Sequence, residues 1–367
     1  MKVTLEDVSN KASSNLAQKD IDGLMGDYPI FGASGYIGNV DFYHQEREYI
    51  AVVKDGAGVG RTMYLPAKSS VIGTLQYILP KDNIVPRYLY YAVRNMKLER
   101  YYMGAAIPHI YYKDYKKEIF ELPDIDEQKR IVDILEKVEN IISYYKQQLE
   151  ELDILIKSRF VEMFGDPVSN PKGWKIKSCK EISSKIGSGA TPKGGRESYG
   201  TEGITLIRSM NVYNNKFEYK DLAYITDEQA HKLDNVIIEE NDVLLNITGA
   251  SVARCCIVPS ELIPARVNQH VAIIRCKSDV LPVFASYMLT DASYQRLLWN
   301  IATSGGATRE AITKQQIEQL QFIVPPITMQ QEFVQFAIQV DKLKFEVQKS
   351  LDETQTLMDS LMQQYFG

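Results

Sequence analysis

The sequence predicts an α+β chain built as an internal pseudo-two-fold repeat. Two strand-rich domains alternate with two long helices that pair antiparallel as an intrachain coiled coil. Three observations carry this reading. First, the segment from Gly104, "GAAIPHIYYKDYKKEIFELPDIDEQKRIVDIL", returns from Gly306 as "GATREAITKQQIEQLQFIVPPITMQQEFVQFA". The offset of 202 holds without a gap through Phe120/Phe322, Pro123/Pro325 and Gln128/Gln330, and still joins "EMFG" (162–165) to "QYFG" (364–367). Second, apolar residues after each repeated proline recur in alternating steps of three and four, the pattern of a helical seam. Third, the stretches between hold short β-type runs separated by Gly, Pro, Asn and Asp. A period this long, kept in phase, marks duplicated structure and orders everything else.

Taken in order, residues 1–122 form the first domain, 123–172 the first helix, 173–325 the second domain and 326–367 the second helix. The opening "MKVTLEDVSNKASSNLAQKD" has neither the apolar core nor the cleavage site of a signal peptide. In the first domain "YIAVVK" (49–54) reads as a strand, followed by "DGAGVG" (55–60). Three glycines after a strand invite a phosphate-cradling loop. The repeat argues otherwise. "IAVVKDGAGVGR" matches "VLLNITGASVAR" at an offset of 193, with Gln76 and Gln269 at the same spacing, and the second copy keeps one glycine of the three. A small-residue turn followed by Arg61 or Arg254 is what the copies share. "ITLIRSMNVY", "DVLLNITG" and "HVAIIRC" read as strands of the second domain. A short helical piece closes each domain, "VPRYLYYAVRNMKLERYY" and "LPVFASYMLTDASYQRLLW".

The first helix places Ile131, Ile134, Val138, Ile141, Tyr145, Leu152 and Leu155 on its seam, with polar Gln148 in the middle. The second places Phe333, Phe336, Val340, Leu343, Val347, Leu357 and Leu361 there, with polar Ser350 and Thr354. Asp126 and Thr328 stand where N-caps belong, and Thr328 with Gln331 spells a capping box. Equal seams in one chain predict pairing with each other, weakest at the polar middle. From Asp126 to Phe164 the helix is about 58 Å long at ~1.5 Å per residue.

Net charge is −5, but it is not spread evenly. The two domains each carry +1; the helical segments carry −4 and −3. The helices are therefore poor nucleic-acid binders and natural protein-binding faces. Cys179, Cys255, Cys256 and Cys276 form no C-x-x-C pair and read as buried thiols of a reducing, cytoplasmic compartment. His44, His109, His231 and His270 are scattered, which argues against a zinc site. No run of about 18 apolar residues is present to span a membrane.

Two variable strand-rich domains alternating with matched helices, each announced by "LPDIDEQKRI" or "VPPITMQQEF", resemble the specificity (S) subunit of type I restriction–modification systems. The resemblance covers essentially the whole chain. "YPIFGASGYIGNVDFY" (28–43) and "IGSGATPKGGRESYGTEGITLIRSMNV" (186–212) look like the openings of that family's target recognition domains. The helix lead-in departs from the usual "PLPPLxEQ": the first copy reads "ELPDIDEQ", and the second has Met329-Gln330 where Glu-Gln is usual.

The resemblance implies a DNA-recognition subunit that reads a bipartite, asymmetric target and brings two methyltransferase (M) and two restriction (R) subunits to it for adenine N6 methylation or cleavage. It implies S-adenosylmethionine on the M partner, ATP and Mg on the R partner, and no cofactor on this chain. The residues agree with a non-catalytic role. The only Pro-Pro element, "VPPI" (324–327), lacks the acid or amide before it and the aromatic after it that an adenine methyltransferase needs. Candidate DNA contacts are Ser34, Tyr36, Lys54, Arg61, His109 and Tyr111 in the first domain. In the second they are Ser188, Thr191, Lys193, Arg196, Arg208, Asn211, Arg254, Thr308 and Arg309. These residue types read base edges and phosphates; each reads equally as a turn former or solvated surface residue. Three other assignments stand beside the main one. A type IIB-like recognition subunit differs only in its partner. A coiled-coil adaptor would show no salt-dependent DNA binding. A self-sufficient methyltransferase would bind S-adenosylmethionine through "DGAGVG".

Overall fold

The computed structural model describes residues 1–103, 108–192, 194–304 and 310–367. Contacts divide the chain into two units, residues 1–147 with 347–367 and residues 148–346. Each unit owns one strand-rich domain and half of each long helix. Those helices run Ile125–Phe164 and Ile327–Phe366. Both start earlier than the cap residues predicted. Asp124 Oδ1 accepts the Glu127 amide at 2.9 Å, so Asp124 rather than Asp126 caps the first. Thr328 lies inside the first turn of the second, because Pro326 fixes the entry and its carbonyl already accepts the Gln330 amide at 3.2 Å.

In the first unit an antiparallel sheet runs in the order Ser9–Ser13, Leu75–Pro80, Tyr49–Val53, Thr62–Leu65. A smaller sheet, Gly35–Val40, Tyr28–Gly32, Ser70–Val71, packs near it; its last pair is parallel. Every residue of Tyr49–Val53 is buried, and strand alternation explains how. Ile50 and Val52 enter a core with the short helix Pro86–Asn95 and the long helices. Tyr49, Ala51 and Val53 enter a second core with the smaller sheet. The second unit repeats the plan: Ser183–Ser188, Val271–Cys276, Val243–Asn246, Cys255–Ile257, with Ala223–Ile225, Ile204–Ile207, Ala265–Val267 as the smaller sheet. Its short helix is Pro282–Leu289.

Alternation also decides the cysteines. Cys255 enters the helix-side core and Cys256 the opposite one, so these neighbours face away from each other. Burial pushes the thiols of Cys179, Cys256 and Cys276 up to about 12, and that of Cys255 well above its ordinary value. Cys179, Cys255 and Cys256 are buried, whereas Cys276, also expected to be buried, is half-exposed at the end of its strand. A disulfide-forming thiol reagent is expected to leave the three buried thiols untouched in the native chain and to titrate them only in denaturant. Rapid labelling of more than one thiol in the native chain would contradict this. The unfolded thiols ionise near about 8.5 while the folded ones stay neutral. The unfolded state thus sheds protons first, and stability present below that pH is lost as pH rises from there towards about 12.

The helices pair within each unit, the start of one against the end of the other. Ile131, Leu135, Val138 and Ile142 share a core with Met358, Met362 and Phe366 in the first unit. Ile156, Phe160 and Phe164 share one with Phe333, Ala337 and Val340 in the second. Arg159 reaches Glu332 at 2.8 Å and Lys344 reaches Asp153 at 2.5 Å. The expected seam needs a correction of one residue at alternate positions. Ile131, Val138, Phe333 and Val340 are buried as expected, and Ile134, Leu152, Phe336 and Leu361 are half-buried. Ile141, Leu155, Leu343 and Leu357 are exposed, and Ile142, Ile156, Lys344 and Met358 take their places. Each helix faces both its partner and a sheet-side core. Its apolar stripe is therefore wider than two columns, and adjacent apolar pairs such as Ile141-Ile142 leave the column ambiguous. Among the described residues no helix is long and apolar enough to cross a membrane.

Candidate nucleic-acid interface

The hairpin tip that joins a central strand of each sheet to its edge strand organises the candidate site. In the first unit Gly56, Gly58 and Gly60 all have positive φ, +84, +84 and +86°. At Gly60 a Cβ would stand 2.4 Å from the Glu99 amide nitrogen, so only glycine fits there. Four of the amides are already committed. Those of Gly56, Val59, Gly60 and Arg61 donate to the carbonyls of Pro108, Gly56, Val53 and Gly58. These bonds close "DGAGVG" into a turn. Its twin confirms the geometry. Ala253 replaces Gly60 yet keeps φ +72°, and its amide donates to Asn246 as that of Gly60 does to Val53, both at 2.8 Å. The fold of the turn, not its glycines, is what both copies retain.

A second segment lies along each tip. In the first unit Gly56 donates to Pro108 and Ile110 to Lys54, both at 3.0 Å. In the second Gly249 donates to Glu310 at 2.9 Å and Ile312 to Ile247 at 2.8 Å. These bonds gather distant residues. Arg61 donates from Nη2 to the Ala33 carbonyl at 2.7 Å, tying the tip to the turn that carries Ser34 and Tyr36. Both of those are exposed, and Tyr36 donates to Asn39 at 3.1 Å. His109 Nδ1 is hydrogen-bonded to Asp55, and its ring lies 4.0 Å from that of Tyr111. Lys113 Nζ stands 5.2 Å from the Tyr111 ring centre. The candidates of the first domain thus lie around the hairpin tip and the smaller-sheet turn that Arg61 ties to it, although Lys54 is half-buried and held through its backbone.

The second unit places its candidates less uniformly. Arg254 lies over the Tyr213 ring at 4.4 Å and lines an open depression of about 530 Å³ with Thr248, Ser251 and His270. Thr191 Oγ1 is hydrogen-bonded to Gln269, which reaches His270 Nε2 at 3.0 Å; His270 Nδ1 lies 2.5 Å from Thr248 Oγ1. With the Gln269 amide donating, Nε2 accepts and Nδ1 carries the proton towards Thr248. Ser188 ends its strand, half-buried and paired with Ala272. Arg208 is tied to the Asp221 carbonyl and lies 5.5 Å from the Tyr199 ring.

Asn211 is a correction. It is fully buried, accepts from the Arg208 amide at 3.1 Å and donates to the carbonyls of Glu218 and Lys220 at 2.9 and 3.1 Å. Its side chain holds a turn and has no group left for a base. Arg196 lies in a short helical turn, Gly195–Ser198. Lys193, Thr308 and Arg309 lie outside the described residues.

Sequence reasoning passed over Asp55, Tyr213, Thr248, Gln269 and His270. The usable signal was the repeat itself: Thr248 sits at the offset of 193 from Asp55. Among the described residues no group of three or more His, Cys, Asp or Glu side chains is placed to hold a metal ion.

Comparison with known proteins matches the same frame. The family described as type I restriction modification DNA specificity domain matches residues 1–153 and 171–354. Among curated proteins, the type I restriction enzyme MjaVIII specificity subunit of Methanocaldococcus jannaschii is 23% identical over 211 residues, covering 53% of this chain and 49% of that protein. The putative MjaX specificity subunit of the same organism is 26% identical over 289 residues, covering 72% and 63%. The chain thus spans about half to under two thirds of the length of these relatives. The crystal structure of a type I restriction–modification S subunit from M. genitalium aligns over 100% of this chain and 96% of its own, with a TM-score of 0.63 at 14% identity. A structure described as addressing complex assembly and conformational transition of the type I R-M system aligns over 100% and 97%, with a TM-score of 0.59 at 16% identity. The last two likenesses establish the fold.

Proposed function

Because this chain belongs to the type I restriction modification DNA specificity family, we propose that it is the DNA-recognition subunit of a type I complex and reads a bipartite, asymmetric target. One observation carries the reading: a retained frame with diverged tips. The hairpin, its crossing segment and their backbone bonds recur in both units, while the side chains they present differ. Asp55 is matched by Thr248, His109 by Ala311, and Lys54 by Ile247. A duplicated scaffold with two tip chemistries suits two unlike half-sites, as dimeric readers use two like ones. Polar side chains held in place by one another, as in Thr191–Gln269–His270–Thr248, suit base-edge readout.

The chain itself is non-catalytic in this reading. Two M subunits dock on the acidic helices, bind S-adenosylmethionine, and take the flipped adenine into their own pocket. Two R subunits supply ATP- and Mg-dependent cleavage, and the complex works in the cytoplasm. The test is methylome mapping. The chain is co-expressed with the M subunit encoded beside it in a methylation-free host, and N6-methyladenine is read by single-molecule sequencing. A split asymmetric motif that vanishes when this chain is omitted is the expected result. No methylation from an assembled complex, with the same M subunit active alongside another S chain, would favour the adaptor reading.

A further inference from the structure

The two units treat one spot differently. In the first, the short helix Pro86–Asn95 is clamped to the first long helix by arginine. Arg87 reaches Glu139 at 2.8 Å and Glu136 at 3.1 Å, Arg94 reaches Glu139 at 2.6 Å, and the Tyr91 hydroxyl donates to Glu139 at 2.8 Å. The Arg87 guanidinium also stands 4.8, 4.9 and 5.3 Å from the rings of Tyr64, Tyr90 and Tyr91.

The repeat carries this cluster to the second unit position by position. The long helices correspond at 202 and the central strands at 193. The short helices correspond at 196, since Val85 and Leu281 donate to Gln128 and Gln330 in the same way. Glu139 becomes Asp341 and Tyr91 becomes Tyr287. Both arginines are gone: Arg87 is replaced by Val283 and Arg94 by Thr290. Tyr64, Tyr90 and Glu136 become Ile257, Ser286 and Ile338. The corresponding volume is a cleft of about 200 Å³, lined by Ile257, Val283, Ser286, Tyr287, Ile338 and Asp341.

The cleft retains an anion and an aromatic ring. Asp341 lies 3.5 Å from Lys344 on its own helix, which is also held by Asp153. The Asp341 side chain is 54% exposed, so its carboxylate is open to a partner's cation. The Tyr287 hydroxyl forms no hydrogen bond with the described residues. Beside the cleft, Ile338, Leu343 and Phe345 are 46, 56 and 68% exposed on the second long helix. They flank an open depression of about 500 Å³ that shares Ile338 and Asp341 with the cleft. An occupant must bring one cation and apolar surface together.

We infer that this cleft of the second unit receives an arginine from a protein partner. The guanidinium pairs with Asp341 and stacks on Tyr287, and apolar side chains of the same partner segment cover Ile338, Leu343 and Phe345. Arginine rather than lysine is indicated because the first unit fills the matching space with a planar guanidinium against rings and a carboxylate. The first unit is closed by its own Arg87, so the two halves are not equivalent to a partner. The inference rests on the reading that M subunits dock on these helices.

The test uses the full chain and the M subunit encoded beside it, with affinity measured by calorimetric titration. Val283→Arg supplies the guanidinium from within, as Arg87 does; Asp341→Asn removes the anion. Each is expected to weaken binding about thirtyfold or more, with the melting temperature of Val283→Arg equal to or above that of the parent. Wild-type affinity in a folded Val283→Arg chain would overturn the inference and leave the partner reading intact. Should that variant melt early, unchanged affinity of Asp341→Asn overturns it instead. Failure of the parent chain to bind the M subunit at all would overturn both.

Discussion

Gln330→Leu is expected to destabilise the second unit by about 3–6 kcal/mol. The reason is a buried amide that satisfies three backbone groups at once. Gln330 is fully buried. Its Oε1 accepts the Leu281 amide at 2.9 Å, and its Nε2 donates to the carbonyls of Asp279 and Pro325 at 3.0 and 2.9 Å. Leucine fills a similar space and leaves all three unpartnered, at roughly 1–3 kcal/mol for the buried Pro325 carbonyl and about 1–1.5 kcal/mol for each of the two part-buried groups. Leu281 and Val85 precede the prolines that open the two short helices, and neither apolar side chain can cap. The glutamine of the long helix does the work that a local cap would do.

The first unit repeats the device. Gln128 accepts from Val85 at 2.8 Å and donates to Pro123 at 2.9 Å, with a longer bond of 3.4 Å to Asn83. Gln128→Leu is therefore expected to destabilise the first unit by a somewhat smaller amount. Both tryptophans, Trp174 and Trp299, belong to the second unit. Tryptophan fluorescence in a urea titration should shift far more for Gln330→Leu than for Gln128→Leu, while hydrogen exchange should report the converse in the first domain. A Gln330→Leu chain that unfolds with the parent would refute the assignment. The residue before the glutamine is peripheral. Glu127 pairs with Arg130 on the helix surface, and Met329 packs at the core margin in the second copy. The loss of the usual glutamate at Met329 therefore leaves the network intact.

The repeat, the long helices and the central strands were legible because each is written in a local period: the gapless offset of 202, the three-four spacing, and compact apolar runs. The seam was half legible. Ile131 and Phe333 are members of every column a helical pattern could choose, but Ile141 against Ile142 and Leu357 against Met358 differ only by which neighbour each faces. That information lies in the packed core. The hairpin tip was legible where the turn and its arginine recur, at Arg61 and Arg254. The candidate site was not legible at Asn211, a polar residue after a strand that looks like a reader and serves as a buried turn clasp. Nor was it legible at Gln269 and His270, whose partners Thr191 and Thr248 come from other loops. A hydrogen-bond chain between loops has no trace in one-dimensional spacing.

Exchange of residues 173–325 for the matching domain of another family member is expected to replace one half of the recognised motif and leave the other half unchanged. The attachment of that domain supports this. Lys175–Ser178 pairs antiparallel with Gln321–Val324, Lys175 opposite Val324, so the chain enters and leaves the domain side by side. The cut points then fall outside the sheet that carries the hairpin tip. The new domain must still offer an aromatic residue where Phe284 stands 4.9 Å from Phe164, and an amide for Gln330 where Leu281 stands. Phe164, Phe333 and Gln330 belong to the retained helices, and the first domain keeps its own equivalents, Tyr88 against Phe366 at 5.0 Å and Val85 against Gln128. Each mismatched base pair costs about 1–3 kcal/mol, roughly additively. A half-site of three or more read positions should therefore change preference by about a hundredfold or more, whereas a single tip substitution changes it at one position. Methylome mapping of the hybrid with the same M subunit reads the result directly. If both halves of the motif change together, the two tips act as one reader, and the assignment of one half-site to each unit is wrong.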